Sequence, residues 1–122
     1  MPKFIMIVDD SATIRQTVKL SLIKAGYEVI EANDGKDALN KLTGQKVHLI
    51  ISDVNMPNMD GISLLKEIKK MNSHRFVPVM MLTTESQQSK VEEGKLAGAK
   101  AWLVKPFKPE QLLSAVDKLI LP

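Results

Sequence analysis

Apolar residues fall along this chain in two rhythms. The unbroken runs "KFIMIV" (3–8), "VHLIIS" (47–52) and "VPVMML" (77–82) have the length and composition of strands buried on both faces. "YEVIEA" (27–32) alternates like a strand, and "AWLV" (101–104) is a last short one. Between these runs apolar residues recur at helical spacing. The first stripe is Ile14, Val18, Leu22 and Ala25, on a helix that Ser11 can cap and that runs to about Ala25 before Gly26 ends it. Ala38, Leu39 and Leu42 form the inward side of a short helix opening after Asn33 and Asp34. Ile62, Leu65 and Ile68 mark a third within "ISLLKEIKKM" (62–71). Leu112, Leu113, Val116, Leu119 and Ile120 mark a last one, with Pro109 suited to its first turn.

Counting a polar helix within "SQQSKVEEGKLAGA" (86–99), five strands alternate with five helices. That alternation predicts an α/β fold with a doubly wound, five-stranded parallel sheet covered on both faces. The flavodoxin-like (βα)5 order 2-1-3-4-5 is the common choice for this element count. Residues 1–122 show no repeat, low-complexity tract or linker, and are expected to form one domain.

Composition narrows the picture mainly by exclusion. There are no cysteines, so disulfides and thiolate metal sites are ruled out. No apolar run is long enough to cross a bilayer, which argues against membrane insertion. The short run after Lys3 meets acids at once, so it does not read as a secretory signal, and a cytoplasmic location is expected. The net charge of +3 comes from scattered lysines with no basic block, and aromatics make up only 4%, so no nucleic-acid partner is expected. The seven methionines read as core filler, with Met56 and Met59 shaping the loop after Asp53. His48 and His74 have no ligand-spaced partner and read as surface or strand-end residues. Lys66, Lys69 and Lys70 read as a solvated helix face.

Candidate chemistry appears at the strand ends. In an open parallel sheet, ligands bind outside the carboxyl ends of the strands. Asp9 and Asp10 follow the first strand, Asp53 the third, Thr83 the fourth and Lys105 the fifth. A lone aspartate at such a place is usually a cap or turn residue. Three of them at one sheet edge must either keep a proton or bind a cation. Oxygen ligands suit Mg2+, which keeps open positions for a phosphoryl oxygen. Lys105 would add a fixed positive charge and Thr83 a hydrogen-bond donor, making a phosphoryl clamp with Asp53 as nucleophile.

Together the motifs "VDDS" (8–11), "SDVNMPNMDG" (52–61), "LTTE" (82–85) and "VKPF" (104–107) resemble the receiver domain of two-component response regulators, closest to its single-domain chemotaxis members. The resemblance covers essentially the whole chain and implies a phosphorylation-activated signalling switch rather than a turnover enzyme. It implies that Asp53 accepts a phosphoryl group from a sensor histidine kinase. It also implies Mg2+ held by the carboxylates of Asp10 and Asp53, by Asp9 through water and by the backbone carbonyl of Asn55. Lys105 would contact the phosphoryl oxygens, and Thr83 would swing toward them on activation. Trp102 occupies the place of an aromatic rotamer switch that is usually Tyr or Phe, and its larger indole needs more room to turn inward. Asn55 and Glu85 would tune how fast water removes the phosphoryl group, and the Lys105–Pro106 bond would be cis.

The resemblance further implies a monomer that signals through protein contacts, with a downstream target such as the flagellar motor switch, and a phosphatase as another partner. The chain ends at Pro122 without an output domain, so signalling is expected to go through protein contacts, and the resemblance implies that the fourth helix, last strand and last helix form the output surface. The fourth helix has only Val91 and Leu96 as strong apolar residues, and Gly94 costs it about 1 kcal/mol relative to alanine. It is expected to be the least stable helix and to move on switching. Asp9 and Asp10 look poorly tolerated by folding alone, so removing either should leave the metal-free chain as stable or more so.

Two other functions use similar parts. A Mg2+-dependent phosphohydrolase with an aspartyl nucleophile usually carries its two acids two residues apart after the first strand, whereas Asp9 and Asp10 are adjacent. A flavin mononucleotide binder would need a hydroxyl- and glycine-rich loop there, and the two acids would repel its phosphate.

Overall fold

The computed structural model describes residues 2–84 and 90–120. Three strands, β1 (Phe4–Val8), β3 (Leu49–Asp53) and β4 (Val79–Thr83), are buried nearly throughout. β2 (Glu28–Ala32) and β5 (Ala101–Val104) flank them in a parallel sheet of order β2-β1-β3-β4-β5. Five helices connect the strands: α1 (Ala12–Lys24), α2 (Gly35–Leu42), α3 (Gly61–Lys69), α4 (Lys90–Ala97) and α5 (Pro109–Leu119). This is the doubly wound, flavodoxin-like arrangement predicted above.

Side chains alternate across a strand, so each central run feeds two cores. Met6, Val8, Ile50 and Met81 meet Ala38, Leu42, Ile62, Leu65 and Ile68 from α2 and α3. Ile5, Ile7, Leu49, Ile51, Met80 and Leu82 meet Val18, Leu22, Leu112 and Val116 from α1 and α5. The result explains why unbroken apolar runs were needed in the middle strands, while β2 and β5 at the sheet edges are only partly buried.

Several boundaries differ from the sequence expectation for stated reasons. β4 begins at Val79 because Pro78 has no N–H to give the ladder, although its carbonyl still accepts the Ile50 N–H at 3.0 Å. β3 begins at Leu49. His48 sits just before it, and its ring Nδ1 accepts the Phe4 N–H at 3.0 Å, standing in for a ladder carbonyl. Both strands run one residue past their apolar stretch, to Asp53 and Thr83. α1 stops at Lys24, and Ala25 is an exposed cap rather than part of the inward stripe. The chain turns there through paired bonds from Gly26 N–H to Ile23 O and from Tyr27 N–H to Leu22 O, a Schellman ending.

His74 is buried, not superficial: its Nε2 lies 2.8 Å from Gln45 O and its Nδ1 2.7 Å from Ser73 Oγ. Lys69 is only partly solvated, since its ammonium turns back to the Arg75 carbonyl at 3.0 Å. No helix among the described residues is long and apolar enough to cross a membrane.

Candidate functional site

Asp9 and Asp10 leave the carboxyl end of β1 in different environments. Asp9 is fully buried; its N–H extends the sheet to Ala32 O at 3.2 Å, and its Oδ1 accepts the Ser11 N–H at 2.9 Å. Ser11 caps α1 as predicted, accepting the Ile14 N–H at 3.2 Å. Asp10 is exposed. The expectation that either acid is dispensable to folding therefore applies to Asp10 only, because Asp9 satisfies a backbone donor and an ammonium inside the protein.

Asp53 is the last residue of β3 and is 6% exposed. Its carbonyl lies so close to the start of α3 that a Cβ at Gly61 would stand 2.2 Å from it, so only glycine fits there. Gly61 N–H also bonds to Val54 O at 2.8 Å. The loop between them is pinned from outside: Asn58, with a left-handed φ of 67°, donates through Nδ2 to Asp34 Oδ2 at 2.9 Å. Met56 is buried in this loop and Met59 packs on the core, in line with the shaping role expected of them.

Carboxylate oxygens of Asp9, Asp10 and Asp53 all lie within 4.8 Å of one another. Lys105 Nζ bridges two of these groups, at 3.1 Å from Asp53 Oδ1 and 3.3 Å from Asp9 Oδ2. Its backbone is held by a bond from its N–H to Thr83 O at 2.6 Å, and the Lys105–Pro106 peptide is cis, as the resemblance implies. Burial pushes the Asp53 carboxyl above the usual carboxylate range; Lys105 opposes this, and the charges of Asp9 and then Asp10 reinforce it. One ammonium thus faces three acids, and an all-oxygen donor set of this kind fits a hard divalent cation such as Mg2+.

Thr83 ends β4 one step beyond Leu82, which pairs with Asp53. Thr83 Oγ1 and Trp102 Nε1 are the buried side-chain polar atoms without a hydrogen-bond partner among the described residues. Asn55 lies two residues past Asp53 with its side chain exposed. Glu85 lies outside the described residues. Trp102 pairs with Met81 across the ladder and is half-buried, packed on the core shared with α3. The room its indole needs is made by Gly94, the one buried residue of α4, where a Cβ would stand 2.3 Å from Trp102 Cη2. Gly94, which reads in the sequence as a helix weakness, is thus a seat for the indole.

Two more residues escaped the sequence reading. Arg15 donates through Nη1 to the Asp9 carbonyl and through Nε to Glu31 Oε1 at 3.4 Å. The available signal was a cation at the fourth residue of a helix, where the helix dipole disfavours it.

Comparison with known proteins gives a consistent result. Residues 5–117 match the family described as the response regulator receiver domain. The chemotaxis protein CheY of Bacillus subtilis is 40% identical over 117 residues, covering 95% of this chain and 96% of that protein. The chemotaxis protein CheY of Thermotoga maritima is 38% identical over 120 residues, covering 98% of each. The chemotaxis response regulator CheY4 of Vibrio cholerae superposes with a TM-score of 0.92 at 45% identity, covering 98% of this chain and 99% of that one.

Proposed function

The chain belongs to the response regulator receiver domain family, and from that premise we propose that it is a chemotaxis-type switch phosphorylated on Asp53 by a sensor histidine kinase. The observation that carries this reading is the convergence of Asp9, Asp10 and Asp53 on one point, with Lys105 bridging two of them. The carboxylates of Asp10 and Asp53, Asp9 through water, and the Asn55 carbonyl would hold Mg2+. Bound there, the ion supplies charge neutralisation for the acids and for entering phosphoryl oxygens.

A carboxylate oxygen of Asp53 attacks the phosphorus of a phosphohistidine. The new P–O bond forms as the P–N bond breaks, and the departing imidazole nitrogen keeps the electron pair and takes up a proton. Lys105 already touches Asp53 Oδ1 and holds its charge against the oxygens that arrive. The Thr83 hydroxyl, without a partner among the described residues, then has an acceptor in the phosphoryl group, which favours the conformation in which Thr83 closes on it. Trp102 adjusts with the same movement and carries it to α4 through Gly94. The acyl phosphate hydrolyses readily, at a rate tuned by Asn55 and Glu85 and by a phosphatase, so the mark is temporary.

Output runs through protein contacts on α4, β5 and α5 of a cytoplasmic monomer. The proposed target is a protein such as the flagellar motor switch, a reading supported only by the relatives being chemotaxis proteins. Incubation with Mg2+ and acetyl phosphate tests the class: uptake should stop at one phosphoryl group per chain, with no steady turnover of unrelated phosphate esters. Sustained ester hydrolysis would favour the phosphohydrolase instead.

A further inference from the structure

Arg15 sits near the start of α1, at its fourth residue, where the helix dipole disfavours a cation, and nevertheless is largely buried, its side chain 18% exposed. Two groups hold it there. Glu31 on β2 takes its Nε, with Lys19 Nζ on the other oxygen of the same carboxylate at 3.2 Å. The Glu31 backbone is fixed in turn, since Lys41 Nζ donates to its carbonyl at 2.7 Å. One arm of the guanidinium, Nη1, donates to the Asp9 carbonyl. That carbonyl belongs to the peptide joining Asp9 to Asp10. Asp9 is fixed on three other sides: by Ala32 through its N–H, and by Ser11 and Lys105 through its carboxylate. Asp10 is exposed, so the plane of the preceding peptide governs where its carboxylate points.

We propose that Arg15, braced by Glu31, is a positioning residue for the acidic turn: it clamps the Asp9–Asp10 peptide and so aims Asp10 at the cation. This rests on the proposed function, in which Asp10 is a ligand of Mg2+. A clamp and a mere charge have opposite signatures. Removing a cation near three acids tightens divalent-cation binding if Arg15 acts only through its charge. Removing a clamp weakens it, and partners that orient metal ligands are typically worth ten- to a hundred-fold in affinity.

The test is calorimetric titration of the intact chain with Mg2+ alone. Arg15→Ala is expected to bind about ten-fold more weakly despite the lost positive charge. Arg15→Lys keeps the charge and, lacking the planar fork, reaches one partner at a time; it should fall between Arg15→Ala and wild type. Because Arg15→Lys is conservative, it carries the test should Arg15→Ala fail to fold. Binding as tight as wild type or tighter in the folded variants would overturn the clamp while leaving the proposed function intact, provided Asp10→Asn still loses Mg2+. Wild-type binding by Asp10→Asn would overturn both.

Discussion

Burial raises the hold of Asp53 on its proton, Lys105 lowers it, and Asp9 and Asp10 raise it again, with a net upward shift. A carboxyl whose pKa is higher in the folded chain than in the unfolded one stabilises the fold fully only below the unfolded value, about 3.9. That contribution disappears as pH rises through the folded value. Asp53 therefore weakens the metal-free protein at neutral pH. Urea titrations in EDTA should find Asp53→Asn more stable than wild type at pH 7, with the gap closing toward pH 4; a gap independent of pH would count against this. The neighbouring acids should behave oppositely to each other. Asp10→Ala is expected to raise the melting temperature without metal, because it removes a repelling charge and no side-chain hydrogen bond among the described residues. Asp9→Ala should lower it, because the part-buried Ser11 N–H loses its acceptor and Lys105 loses one of its two carboxylates, a loss of about 1–3 kcal/mol. Equal shifts in the two variants would contradict this division.

At the scale of elements, α4 is attached more lightly than its neighbours. Its ion pairs, Lys66–Glu93, Lys90–Glu93 and Lys95–Glu92, lie on exposed side chains and contribute little. Leu96 faces solvent at 89% exposure, leaving Gly94 against Trp102 and the partly buried Ala97 on the core as its inward contacts. Hydrogen exchange should show weaker amide protection in α4 than in α1, and equal protection would remove the case for a mobile α4. Gly94→Ala sets two effects against each other. The helix gains about 1 kcal/mol in propensity, while overpacking the indole costs about 1–3 kcal/mol. The variant should be no more stable than wild type, with its Trp102 emission shifted to the red as the ring is pushed outward. In a Trp102→Phe background the same change should stabilise. A stabilised Gly94→Ala with unaltered emission would show that the glycine is not a seat.

Across the whole molecule, the sheet and its order were readable because central strands need apolar residues on both faces and helices need them on one. Val18, Leu22, Leu112 and Val116 fell on the expected stripes and are buried. The acids, Thr83 and Lys105 were readable because a parallel sheet collects its carboxyl ends at one edge. What stayed hidden depends on distance across space. Nothing in "EEGKLAG" says that Gly94 makes room for a ring on β5, and nothing in the spacing of Arg15 and Glu31 says that they meet over Asp9. His74 looked superficial because its partners, Ser73 and the Gln45 carbonyl, form no ligand pattern. The same distances set the functional argument: residues far apart in the chain converge to compress three acids around one ammonium, a cost to folding that a cation would relieve. Mg2+ should accordingly raise the melting temperature in proportion to the logarithm of its concentration above the dissociation constant.

Intact-mass spectrometry after rapid acid quench tests the central claim most directly. Wild-type protein with Mg2+ and acetyl phosphate should gain the mass of one phosphoryl group, and should gain none in EDTA or as Asp53→Asn. No gain in the wild type, or an equal gain in Asp53→Asn, would contradict the account.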